Sequence, residues 1–203
     1  MEYKLIALDI DGTLLNSSNQ ITDNVKEAIK KSKEKGVKVV LCTGRPLKGV
    51  EDFLEELNLK EEGDYVTTFN GALVQDAYTG KPISHLTLDY NDLCDLYNLS
   101  LKIGSRSHFY DTKTVYTFNL DVSDYTILES YLTGAHLNVT TLDKVPKDIG
   151  MSKFMMIDHP EILDECIKKI PEEYYEKYTI VRSTPFFLEI LNKNANKGAG
   201  INL

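Results

Sequence analysis

Apolar residues in the first third of the chain alternate between two rhythms. Leu5-Ile6-Ala7-Leu8 and Val37 to Cys42 are short, uninterrupted runs, the pattern of strands buried on both faces of a parallel sheet. Between them Val25, Ala28 and Ile29 recur at helical spacing. Thr22 can cap that helix, and Gly36 stands where a C′ residue belongs. Pro46 fits the first position of a second helix carrying Leu47, Val50, Leu54 and Leu57. Tyr65 to Phe69 forms a third strand-like run. A β-α-β-α-β succession implies a parallel sheet with right-handed crossovers.

After Asn70-Gly71 the rhythm changes. Ala72 to Gln75 and Pro82 to Leu88 flank Asp76-Ala77-Tyr78-Thr79-Gly80, which predicts an antiparallel hairpin. Leu93, Leu96, Tyr97, Ser100 and Leu101 share one face of a predicted helix that Gly104 ends. A second hairpin is expected from His108–Tyr110 and Val115–Phe118, and helices near Tyr125–Leu132 and Glu161–Ile170. Further strands are expected around Leu137–Thr141, Lys153–Ile157, Tyr178–Arg182 and Phe186–Leu191. Helices mixed with hairpins predict an α+β insert between two pieces of an α/β core.

The composition adds bounds. With 203 residues, 42% of them hydrophobic, the chain can bury a real core in one or two domains. Its 23 Lys+Arg against 31 Asp+Glu leave a net charge of −8, which argues against nucleic acid or an anionic membrane as the main partner. Cys42, Cys94 and Cys166 form no CxxC pair, and the four histidines lie far apart. A zinc ribbon, a thioredoxin-type site and a His-rich metal centre are therefore not expected. The first residues lead straight into a short apolar run containing acids, unlike a signal peptide, and no stretch approaches the ~18 apolar residues of a membrane span. A soluble, cytoplasmic protein is expected; the sequence names no oligomeric state.

Four segments carry candidate chemistry. Asp9-Ile10-Asp11-Gly12-Thr13-Leu14 follows the first strand, and ligands in open α/β sheets bind beyond the carboxyl ends of strands. Two carboxylates two residues apart repel, and a divalent cation such as Mg²⁺ would neutralise them. Gly12 lets the backbone turn closely around a ligand. An acidic loop opening a helix, with Asp11 as cap, is the competing reading. Thr43-Gly44-Arg45-Pro46 ends the second strand, combining a hydroxyl, a close-approach glycine and a guanidinium suited to phosphate. Taken alone, an ordinary strand-to-helix turn using Gly and Pro explains that segment better. Asn70-Gly71 is a type I′ turn or a substrate contact. Lys197, within Asn196-Lys197-Gly198, is a solvated surface charge unless something brings it to the acids.

Taken together these segments resemble the haloacid dehalogenase superfamily, in particular the Cof-type phosphatases with a type IIB cap. Asp9-Ile10-Asp11-Gly12-Thr13 is similar to the family's first motif, Thr43 in Thr43-Gly44-Arg45 to its second, and Lys197 in Asn196-Lys197-Gly198 to its third. The resemblance implies an α/β fold: a Rossmann-like parallel-sheet core, incomplete at its C-terminal part, with an inserted α+β cap domain. The expected divisions are 1–83 for the first part of the core, 84–187 for the cap and 188–203 for the return to the core.

The resemblance further implies a Mg²⁺-dependent phosphatase acting on small phosphorylated metabolites, foremost sugar phosphates. Asp9 would be the nucleophile that forms an aspartyl-phosphate, and Asp11 the general acid and then base. Both would serve the metal, Asp9 by its carboxylate and Asp11 by its backbone carbonyl. Gly12, Thr43, Gly44, Arg45, Asn70 and Lys197 would hold phosphate or substrate. Phosphomutase action, hydrolysis of nucleotide or cofactor phosphates, and an inactive phosphate-binding fragment stay open. The family's fourth motif, GDxxND, has no counterpart in the six residues after Lys197. The expectation is a C-terminally truncated member, its first strand at an open sheet edge, that binds Mg²⁺ poorly and turns over slowly or not at all.

Overall fold

The computed structural model describes residues 3–201. Met1, Glu2, Asn202 and Leu203 lie outside the described residues. The chain divides into two units, Met1–His85 with Asn196–Leu203, and Leu86–Ala195.

In the first unit β1 (Leu5–Leu8), α1 (Asp23–Glu34), β2 (Lys38–Cys42), α2 (Glu51–Glu56) and β3 (Tyr65–Thr68) follow the expected alternation. β1 pairs with β2 and β2 with β3, both in parallel. β4 (Leu73–Asp76) and β5 (Pro82–His85) then extend the same sheet antiparallel, giving the order β1-β2-β3-β4-β5. β1 is thus an edge strand. Its apolar run alternates exposed and half-buried rather than lying buried throughout, and Leu5 is 40% exposed. Gly36, at φ +79°, closes α1 as expected.

Pro46 does not open an α-helix. It precedes a tight 3₁₀ turn at Leu47–Gly49, where Gly49 N–H donates to Pro46 O at 3.0 Å and Val50 N–H to Leu47 O at 3.0 Å. The wider α spacing begins only with Leu54 N–H to Val50 O. Ile10, Leu14, Ile21, Ile29, Leu41, Leu54 and Val66 form the core of this unit.

The second unit contains α3 (Tyr90–Ile103), β6 (Arg106–Tyr110), β7 (Thr114–Thr117), α4 (Asp124–Thr133), β8 (His136–Val139), β9 (Lys153–Ile157), α5 (Pro160–Ile167), α6 (Glu172–Lys177), β10 (Tyr178–Thr184) and β11 (Phe187–Asn192). Its six-stranded sheet runs β10-β11-β9-β6-β7-β8. The Asp89 side chain accepts from the N–H groups of Asn91 and Asp92 to cap α3, and Gly104 ends it at φ +86°. Leu101 stands exposed, whereas Leu99 and Ile103 are buried with Leu93 and Leu96. No apolar periodicity announces α6, whose sequence is Glu-Glu-Tyr-Tyr-Glu-Lys.

The structure divides the chain at residues 85/86 and 195/196, where the sequence suggested 83/84 and 187/188. The reason is strand pairing. β11 lies between β10 and β9, antiparallel to both, with Leu188 opposite Met156 and Ile190 opposite Phe154. Those side chains join Phe109 and the α3 leucines in one core, so residues 188–195 belong with the second unit. Among the described residues no helix is long and apolar enough to cross a membrane.

Candidate active site

The site builds up where β1, β2 and β3 end at their carboxyl termini. After Leu8 the chain leaves the sheet at Asp9 and turns through Ile10–Leu14, with Asp11 extended and Gly12 at φ +73°. Leu14 N–H donates to Asp9 O at 3.1 Å and Leu15 N–H to Ile10 O at 3.1 Å, closing the loop, while buried Ile10 and Leu14 anchor it. Asp11 and Thr13 are left exposed at its outer side, and Asp9 is half-buried.

The loop after β2 is tied to β3. Thr43 N–H donates to Thr67 O at 2.9 Å, Asn70 N–H to Thr43 O at 2.8 Å and Phe69 N–H to Arg45 O at 3.2 Å. The buried Thr43 hydroxyl accepts from Arg45 N–H at 3.1 Å. Its own proton therefore remains to be donated. Gly44 admits the Asn70 side chain, since a Cβ there would sit 3.0 Å from Asn70 Oδ1. Below Thr43, burial pushes the Cys42 thiol above its ordinary range, so it is no nucleophile at neutral pH.

Asn70 is not in a simple hairpin turn. Phe69, Asn70 and Gly71 all take positive φ in a 3₁₀-like bend between β3 and β4. At Gly71, φ +94°, a Cβ would collide with the Asn196 carbonyl. Only glycine lets the last segment of the chain lie against the loop. Asn196 then caps its own turn, its Oδ1 accepting from Ala199 N–H at 2.8 Å and its carbonyl from Gly200 N–H at 3.1 Å.

That packing delivers Lys197. Its Nζ donates to Asp9 Oδ1 at 2.7 Å, so it is a partner of the first acid rather than a surface charge. Arg45 takes the second acid with two donors, Nη2 to Asp11 Oδ1 at 2.6 Å and Nε to Asp11 Oδ2 at 3.2 Å. Its guanidinium also lies 5.7 Å from the centroid of the Phe53 ring, and Nη1 reaches Gly49 O at 3.4 Å. Two carboxylates thus meet two cations. Phe53 supports the site without having been singled out for it, because a contact made only in three dimensions defines its role.

Asp9, Asp11, Gly12, Thr43, Gly44, Arg45, Asn70 and Lys197 all fall on these four adjoining segments. Among the described residues no group of three or more His, Cys, Asp or Glu converges as a metal cage. The Asp9 carboxylate and the Asp11 carbonyl are hard oxygen donors, a sparse set that fits Mg²⁺, which keeps most of its water when few protein ligands are offered.

Known proteins resemble this chain along nearly its whole length. Residues 6–203 match the haloacid dehalogenase-like hydrolase family. The chain is 52% identical over 199 residues to "Putative phosphatase YxeH" of Bacillus subtilis, covering 98% of this chain and 74% of that protein. It is 44% identical to "Putative phosphatase M6_Spy0533" of Streptococcus pyogenes, covering 99% and 74%. A crystal structure of a haloacid dehalogenase-like hydrolase from Bacteroides thetaiotaomicron superposes with a TM-score of 0.82 at 25% identity, over 99% of this chain and 75% of that one.

Proposed function

The chain belongs to the haloacid dehalogenase-like hydrolase family and is a phosphatase; from that premise we propose that it hydrolyses small phosphorylated metabolites, foremost sugar phosphates, through a phosphoryl group carried on Asp9. The observation that carries this reading is the meeting of Asp9 with Lys197, a residue from the far end of the chain, at 2.7 Å. A half-buried carboxylate beside an ammonium, at the strand ends that also carry a buried hydroxyl, suits transfer of an anion's central atom.

In the first step an Asp9 oxygen attacks phosphorus and the bond to the ester oxygen breaks. Asp11 gives that oxygen a proton, so the leaving group departs as an alcohol. In the second step Asp11 takes a proton from water, whose oxygen bonds to phosphorus as the Asp9–phosphorus bond breaks. Inorganic phosphate leaves and Asp9 is restored. Thr43 donates its free hydroxyl proton to the phosphoryl oxygens, and Lys197 moves from Asp9 toward the charge that develops on them.

Arg45 and Asn70 serve the substrate side, Arg45 exchanging a carboxylate for a second anion of the same two-point geometry. The Asp9 carboxylate and the Asp11 carbonyl would hold Mg²⁺, which would supply positive charge that offsets repulsion between anionic nucleophile and anionic substrate. All three cysteines are unpaired thiols, which suits work in the reducing cytoplasm.

The test is to trap the intermediate. Protein of verified mass is incubated with Mg²⁺ and an activated phosphate donor such as acetyl phosphate, quenched in acid and weighed intact. One added phosphoryl group, mapped to Asp9 and absent from Asp9→Asn, is expected. Label retained by Asp9→Asn removes Asp9 as the nucleophile. Phosphate release from a panel of esters then ranks sugar phosphates against nucleotides.

A further inference from the structure

Helix α4 is built the wrong way round for a surface helix. The residues it buries are Thr126, Glu129 and Thr133, all polar. They face β6 and β9, where Tyr110 hydroxyl donates to Glu129 at 3.2 Å and contacts Thr133 Oγ1 at 3.2 Å. The buried Lys153 ammonium pairs with Glu129 at 3.2 Å and with Glu189 at 3.4 Å, and His108 Nδ1 lies 3.1 Å from Thr126 Oγ1. Polar contacts therefore fasten the helix to the sheet, where surface helices usually bury an apolar stripe.

The apolar stripe is present, and it points outward. Ile127, Leu128, Tyr131 and Leu132 are 51%, 36%, 82% and 59% exposed, and Leu120, just ahead of the helix, is 89% exposed. Their spacing of one, four and five residues puts the four helix positions on a single face. Together the four expose ~430 Å², and Leu120 raises this to ~600 Å², at the top of the range for the largest patch on a monomer.

We propose that this face of α4 is a self-association surface, on which a second copy of the chain docks helix against helix about a two-fold axis. The area argues for it: two such patches together bury ~900–1,200 Å², reaching the lower end of specific interfaces. Charge argues for it too. Each copy carries a net −8, and the four stripe residues are uncharged, so two copies meet here without opposing like charges. α4 contains no Lys or Arg, which a helix lying on an anionic membrane would need. An isologous contact requires a patch that complements itself, and a neutral stripe of Leu, Ile and Tyr meets that condition.

The test is sedimentation velocity on the intact chain across the micromolar range. Wild type is expected to pass from monomer to dimer with rising concentration. Leu128→Glu/Leu132→Glu is expected to weaken association about 30-fold or more, with unchanged circular dichroism and melting. Neither side chain belongs to either hydrophobic core, so the variant leaves both cores intact. In parallel, Leu128→Cys and Tyr131→Cys are oxidised separately, and at least one is expected to form a disulfide-linked dimer that wild type does not. Wild type that stays monomeric throughout, a dimer indifferent to the paired glutamates, or binding of the stripe to anionic vesicles instead overturns the proposal. None of these outcomes bears on phosphoryl transfer to Asp9.

Discussion

Gly12 and Gly71 both stand at positive φ beside the candidate site, but their surroundings differ. A Cβ on Gly12 would meet nothing within 4 Å, whereas on Gly71 it would strike the Asn196 backbone. Gly12→Ala is therefore expected to cost only the left-handed backbone penalty, about 1–2 kcal/mol. Gly71→Ala should cost clearly more and push the 196–200 segment off the loop, separating Lys197 from Asp9. Urea unfolding of both variants gives the difference, and Lys197 reactivity toward acylating reagents should rise in Gly71→Ala alone. Equal costs would mean that the segment yields freely. Asn70-Gly71 was legible as a turn because its residue types announce positive φ. Why the second residue must be glycine was not, since the colliding carbonyl belongs to a distant stretch of chain.

Helix α4 and the strands beneath it form a polar layer whose response to pH follows from burial. Loss of water around His108 lowers its pKa from the ordinary 6.5 to about 3, Glu129 pulling it upward and Lys153 downward by lesser amounts. For Glu129, burial alone would raise the pKa, but Lys153, His108 and the Tyr110 hydroxyl together outweigh it and the carboxyl titrates below its usual range. Between about pH 6.5 and pH 3 the unfolded chain binds the His108 proton and the folded chain does not. The stability contributed by His108 is complete above that window and lost as pH falls through it, by up to about 1.4 kcal/mol per pH unit. Denaturant unfolding from neutral pH down to about pH 4 should show this slope in wild type and a flatter one in His108→Gln. Parallel slopes would mean that His108 is protonated in the folded state. The position of α4 was legible in sequence, yet its orientation was not. Apolar periodicity tells which side is buried only when burial is apolar, and here ion pairs and hydroxyls do the fastening.

The chain as a whole divides into two units whose cores share no residue. The second, Leu86–Ala195, is one continuous stretch with its own six-stranded sheet. Expressed alone it should fold and unfold cooperatively, with aromatic near-ultraviolet dichroism from its packed Phe109, Tyr116 and Phe118 rings; a non-cooperative melt would show that its core is insufficient. The first unit closes only when residues from both ends of the chain meet, so no continuous fragment contains it. What local pattern established is substantial: the succession of elements, the parallel start of the first sheet, and a candidate site where its strands end. Short apolar runs, caps and turn residues act over a few positions, and the Asp9-Ile10-Asp11-Gly12-Thr13 segment carries its chemistry within one loop. Tertiary structure alone decided that β11 completes the second sheet, that Lys197 reaches Asp9 and Arg45 grips Asp11, and that α4 turns its apolar side outward. Each of these depends on a contact between residues far apart in the chain, where the energy lies in the pair and neither partner's neighbours reveal it.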